Sequence, residues 1–385
     1  MKYKVIFACF LGILSFSCRV EHTLEWDGKY ADEFLQGSGG ADDPWLISST
    51  QELAWLARSV NRGNSYQGQY FKLTADLDMQ GENEKCRWPG IGGVTLFRGI
   101  FNGDGHRIRN ICIDGLKTVA PCGLFGKVGE GGLIQSLFVE KVWCSGKTDY
   151  YTGAMAGMND GVISECVAKE VAGMSGGVIG CNNGTILRCY ATGEIKGAHG
   201  GIAGYNYGRV KYCLSQARVT NHAGFLAMNV GGICGINYGG ISGCAFTGTV
   251  YGEKFIGGIA GDMKREGYIE NCYNRGKVKS ETYGSGGIVG YTAGGKIRNC
   301  YNAGSGGAPI LSSPYPFENS YYDTKTYRDP YYCPPEGKTT RFMKSTAFVK
   351  VLNERKADGL WLEDTKGVND GYPVIKGIDY MEKLD

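Results

Sequence analysis

Residues Gly176–Tyr190 read GGVIGCNNGTILRCY, and Gly200–Leu214 bring the phrase back as GGIAGYNYGRVKYCL. Outward from this pair, seven copies can be aligned on Gly123, Gly153, Gly177, Gly201, Gly232, Gly258 and Gly287, in steps of 30, 24, 24, 31, 26 and 29 residues. A fixed phrase at variable steps is a repeated coil with loops inserted at its corners. Three columns are apolar in every copy. The first runs Leu124, Met155, Val178, Ile202, Ile233, Ile259, Ile288, and the second Ile134, Ile163, Ile186, Val210, Ile241, Ile269, Ile297. The third is Leu137, then Cys166, Cys189, Cys213, Cys244, Cys272 and Cys300. The second and third columns are three residues apart. A flat strand cannot turn both inward, because its side chains alternate, so a corner must lie between them.

After each Cys the period becomes two. Cys189, Ala191, Gly193 and Ile195 would face in, while Tyr190, Thr192, Glu194 and Lys196 would face out. That is a half-buried strand. The segments are too short, too Gly-punctuated and too β-branched for helices, and a propeller blade needs about 40 residues or more. The expected fold is therefore all-β: a right-handed parallel β-helix (solenoid) with short helical caps at both ends. G-x-N-x-G occurs around Asn159, Asn182, Asn206 and Asn237, and stacked Asn at one corner would form a hydrogen-bonded ladder. Met263 and Thr292 take the Asn position in later copies, so the ladder should stop there.

Composition agrees. There are 63 Gly in 385 residues, about twice the usual ~7%, without a collagen period. Net charge is +3, which gives no electrostatic case for nucleic acid. The chain opens MKYKVIFACFLGILSFSC, a basic start and a short apolar core ending in small residues, which reads as an export signal. Of the 15 Cys, Cys9 would leave with the signal. Most of the others read as core filler, a common place for free Cys.

The expected organisation is a signal peptide (1–17), a linker (18–40), and an N-terminal cap with helix and first strands (41–96). The β-helix follows (97–304), then a Pro-, Gly- and Tyr-rich loop (305–340) and a C-terminal cap (341–385). Ser48, Ser49 or Thr50 can cap a helix that carries Leu53, Leu56, Ala57 and Val60 on one face, and Thr340–Asn353 reads as a second helix.

Leu14-Ser15-Phe16-Ser17-Cys18 resembles the lipobox of bacterial lipoproteins, which implies cleavage before Cys18 and a lipid anchor on it. The G-G-[IV]-x-G-x-N-x-G-x-I-x-x-C-Y phrase, with the flanks DDPWLISSTQELAWLARSVN and GVNDGYPVIKG, resembles the GLUG-motif repeat of bacterial surface proteins. That resemblance covers about residues 41–378. It implies an adhesin-like protein held in the outer membrane by its N-terminal lipid and exposed at the surface. The same motif also occurs as a non-catalytic part of IgA-cleaving metallopeptidases.

No catalytic residue, metal or cofactor is expected. The His residues are His22, His106, His199 and His222, and none sits in an H-E-x-x-H motif. Asp76, Asp78, Asp104 and Asp114 read as turn-holders. The outward residues after the Cys column include Tyr190, Tyr273 and Tyr301, which would share one face and bind a ligand, most plausibly a glycan or another cell-surface group. The reading is a non-enzymatic binding or adhesion module. The alternatives are a polysaccharide lyase or glycoside hydrolase on the same scaffold, and a passive spacer.

Overall fold

The computed structural model describes residues 24–114, 120–144, 151–221, 228–282, 284–311, 317–327, 336–354 and 359–378. The signal segment, Cys18, His22 and His222 lie outside them. The chain is a parallel β-helix of about nine turns with three short helices. Ten strands, from Trp45–Ile47 to Lys296–Arg298, form the isoleucine sheet. Seven, from Phe125–Val128 to Val289–Thr292, form the asparagine sheet. The largest, the cysteine sheet, has 15 strands, from Leu24–Glu25 to Glu336–Lys338. Met228–Gly231, Lys254–Gly257 and Ser285–Gly286 add a short fourth face.

The columns stack as the phrase requires. Ile134, Ile163, Ile186, Val210, Ile241, Ile269 and Ile297 are successive register partners, and all are buried. The corner between them and the Cys column is one left-handed residue. Glu165, Arg188, Tyr212, Asn271 and Asn299 have φ between 49° and 55°. Such a residue costs about 1–2 kcal/mol when it is not Gly, and here it buys the inward turn of the Cys that follows. The Gly-Gly pair is a close approach of backbones: a Cβ on Gly177 would stand 2.1 Å from the Gly201 carbonyl oxygen, and one on Gly176 2.1 Å from that of Ile179.

The Asn ladder is present and buried. Asn159, Asn182 and Asn206 each donate Nδ2 to the Oδ1 of the next Asn at 2.8 Å, ending on Asn237. Beyond it Thr292 Oγ1 donates to the Met263 carbonyl at 3.0 Å instead. Cys166, Cys189, Cys213, Cys244, Cys272 and Cys300 form a buried column of free thiols. The Cys189 and Cys213 amides point at the sulfur of the next Cys at 3.4 Å. Burial pushes the Cys166, Cys213 and Cys272 thiols well up.

At the N-terminal end α1 (Thr50–Asn61) buries Leu53, Leu56, Ala57 and Val60. Ser49 caps it, accepting from the Glu52 amide at 3.3 Å, and the Glu52 carboxylate reaches back to the Ser48 amide at 2.8 Å.

Three expectations change. The strands of residues 41–96 are themselves the first coils, because Trp45–Ile47 and Tyr70–Leu73 pair in line with Ile100–Asn102. Residues 305–340 are more than a loop: Tyr321–Asp323 pairs with Tyr301–Asn302 and then with Glu336–Lys338. Ser320 takes the Cys position there, receiving the Cys300 amide at 3.4 Å. The expected helix 340–353 is two, α2 (Thr340–Met343) and α3 (Thr346–Leu352), because Ser345 caps the second.

Candidate binding faces of the solenoid

The residues after the Cys column do form one outward column, Tyr190–Leu214–Ala245–Tyr273–Tyr301–Tyr321 in register. It is not an open stripe. Tyr273 and Tyr301 are 3% and 0% exposed. The C-terminal helices, and the antiparallel pair Trp361–Leu362 and Val374–Ile375, lie on the flank of the solenoid over this column rather than across its end. Phe348, Trp361, Tyr372 and Ile375 pack against Tyr273 and Tyr301. Tyr273 and Tyr301 stack at 5.1 Å and 2°. The Tyr301 hydroxyl donates to the Pro373 carbonyl at 2.6 Å and accepts from Asn369 Nδ2 at 2.8 Å. Burial holds its phenol well above the usual range. These two tyrosines therefore seat the chain's own C-terminal segment and have no surface left for a ligand. Tyr190 escapes that cover but is only 6% exposed. It packs on Val167, Phe138 and Leu214, with its hydroxyl on Gln216.

The acidic residues of the first coils have separate partners. Asp76 takes His106 Nδ1 at 3.1 Å and the Arg107 amide at 2.9 Å. Asp78 holds Arg109 and Asn110, and Asp104 pairs with Lys72 at 2.9 Å. Asp114 lines a different hollow, with Trp88 and Pro121. Among the described residues there is no group of three or more His, Cys, Asp or Glu placed to hold a metal ion.

The exposed aromatic face lies on the asparagine sheet. Each ladder Asn is inward, so its two neighbours must point out. Three coils supply Tyr205 and Tyr207, Ile236 and Tyr238, and Tyr291. Tyr207 is 47% exposed, and its ring stacks on Tyr238 at 4.5 Å and 11°. The stack ends at Tyr207, because the preceding coil carries Asn183, whose amide is drawn to Asp160 at 2.7 Å. Tyr151 and His199 close one side, with rings 5.1 and 5.9 Å from that of Tyr205. Lys264, paired with Asp262 at 2.6 Å, borders the other. Partial desolvation, helped by the phenols of Tyr238 and Tyr151, pushes Tyr207 up to about 12, so its hydroxyl stays a protonated donor at neutral pH. Burial lowers His199, whose Nδ1 is 3.1 Å from the Met228 carbonyl. The G-x-N-x-G phrase held the signal for this face: an inward Asn dictates outward flanks.

No family model matches the chain. It is 28% identical over 165 residues to halomucin of Haloquadratum walsbyi, a match covering 40% of this chain and 2% of that protein. It is 33% identical over 149 residues to a "Putative Gly-rich membrane protein" of Evansella cellulosilytica, covering 36% of this chain and 16% of the other. The chain thus spans a small part of either relative. Among solved structures it is similar to one titled a "putative immunoglobulin A1 protease" from Bacteroides ovatus, at 19% identity and a TM-score of 0.41, covering 89% of this chain and 95% of that one.

Proposed function

We propose that this chain is a non-enzymatic binding or adhesion module of the cell envelope, of the GLUG-motif type, whose aromatic face on the asparagine sheet binds glycans. The observation that carries the reading is the exposed Tyr207 ring, backed by Tyr238 and bordered by Asn183 and Asp160. Tyr238 fixes the ring on one side, which leaves the other as a flat apolar platform beside an amide and a carboxylate. A sugar ring presents the complement: C–H groups on one face and hydroxyls at its rim. Tyrosine held rigid in this way loses little entropy on binding. A catalytic reading would need carboxylates converging on a cleft, whereas the acidic residues of the first coils are dispersed. Placement at the envelope draws on the export signal and on the relative described as a membrane protein. Cys18 would carry the lipid, and several acyl chains on one residue give stable anchoring.

A glycan array probed with the mature chain tests the ligand. Y207A/Y238A should weaken retention of the bound glycans at least tenfold, a loss of about 1.4 kcal/mol, with unchanged thermal stability. Retention of no glycan, or equal retention by the double variant, would end the proposal. Cys18→Ala should release the protein from membranes, and continued membrane association would dispose of the anchor.

A further inference from the structure

The outward column that begins at Phe138 is only partly covered by the chain itself. Ala245, Tyr273, Tyr301 and Tyr321 lie under the C-terminal segment, while Phe138, Val167 and Tyr190, the same column on earlier coils, form a separate cluster. Leu214 packs with both groups, so the floor is continuous from the covered part to the open part. Beside it the strands bend at a left-handed residue, Lys141 with φ 54° and Glu170 with φ 56°, and the register shifts between Lys169 and Val171. The bend separates two hollows of about 490 and 610 Å³, and Gln216 lines both.

We propose that this groove is a docking site for an extended polypeptide segment that carries an apolar anchor residue beside acidic residues. Polypeptide is favoured because polypeptide already covers the rest of the column, through Phe348, Trp361, Tyr372 and Ile375. The smaller hollow offers a sugar no free ring, and in the larger one Trp143 is the apolar surface that meets the anchor residue. Tyr190 is buried with its hydroxyl committed to Gln216, and the Arg107 guanidinium lies over the Phe138 ring at 5.2 Å. The acidic preference follows from the rim. Glu194 is paired with Lys196 at 2.6 Å and Glu140 is 3.9 Å from Arg107. Arg218 stands beside Glu194 in register, and the two hollows together are lined by five cations, Arg107, Lys141, Lys169, Lys196 and Arg218, against three carboxylates, Glu140, Glu170 and Glu194. The surplus is cationic, and opposite charge on the partner adds on-rate and selectivity.

This site is independent of the aromatic face, and the test keeps the two apart. Twelve-residue peptides displayed on phage are selected on the immobilised mature chain and counter-selected on K169E/R218E, which changes only exposed side chains. The selected peptides should share an apolar residue flanked by Asp or Glu. As synthetic peptides they should bind the parent at least tenfold more tightly than K169E/R218E or T192R, and bind Y207A/Y238A as well as the parent. Selected peptides without that pattern, peptides indifferent to K169E/R218E and T192R, or groove variants that alter glycan retention instead would overturn the proposal.

Discussion

Replacing Asn206 by Ala removes a middle rung of the buried ladder. Its Oδ1 accepts from Asn182 and its Nδ2 donates to Asn237, both at 2.8 Å, with a further contact to the Gly208 carbonyl at 3.3 Å. The two ladder hydrogen bonds go, at about 1 kcal/mol each. Asn182 Nδ2 keeps its contact to the Gly184 carbonyl at 3.2 Å, but Asn237 Oδ1 loses its ladder donor while buried, which costs about 1–3 kcal/mol more. The expected loss is about 3–5 kcal/mol. Asn159→Ala provides the internal comparison. Asn159 is the first rung, and its Oδ1 has no donor even in the native chain. Only one ladder bond is lost and the acceptor it strands is Asn182 Oδ1, so about 2–4 kcal/mol is expected, about 1 kcal/mol less than for the middle rung. Urea denaturation followed by far-UV circular dichroism measures both. Equal losses, or a loss under about 1 kcal/mol for Asn206→Ala, would refute the idea that the ladder acts as a connected chain rather than as four separate turns.

Other outcomes follow from the same packing. Cys213→Ser should destabilise by about 1–3 kcal/mol by burying a hydroxyl in the thiol column, and mass spectrometry of the native chain should find no disulfide among Cys166, Cys189, Cys213, Cys244, Cys272 and Cys300. Tyr301→Ala should cost about 3–5 kcal/mol, and hydrogen exchange should place the loss in residues 340–378 while the coils up to Cys300 stay protected. Burial holds His199 neutral, with its folded pKa below the ordinary 6.5. The unfolded chain therefore binds the proton first as pH falls, so this contribution is complete above pH 6.5 and is lost below it. His199→Asn should flatten that part of the stability–pH curve.

Much of the coil was legible because it repeats. The odd spacing from Ile186 to Cys189 demanded a corner, and Arg188 supplies it at φ 49°. Asn182 and Asn206, in identical places, demanded a ladder. What periodicity cannot tell is whether an outward residue meets water. Tyr301 points out of its coil, yet a segment about 70 residues downstream comes back to cover it. Phe342, Phe348 and Trp361 hinted that this segment needed an apolar seat, but not where. The second bend, at Lys141 and Glu170, was silent because residues of unlike type occupy it. The strict alternation after each Cys breaks there, with inward Ala168 and Val171 three residues apart. The aromatic face is written beside Asn206 and Asn237, in Tyr205, Tyr207 and Tyr238, but not beside Asn159 or Asn182, so it does not recur with the coil.

Hydroxyl-radical footprinting of the mature chain, with and without an oligosaccharide retained on the array, tests the binding assignment most directly. Tyr207 should be oxidised readily in the free chain and protected when the sugar binds, Tyr238 less so, and Tyr273 and Tyr301 should stay unreactive in both states. Binding without protection of Tyr207, or protection confined to another face of the solenoid, would contradict the account.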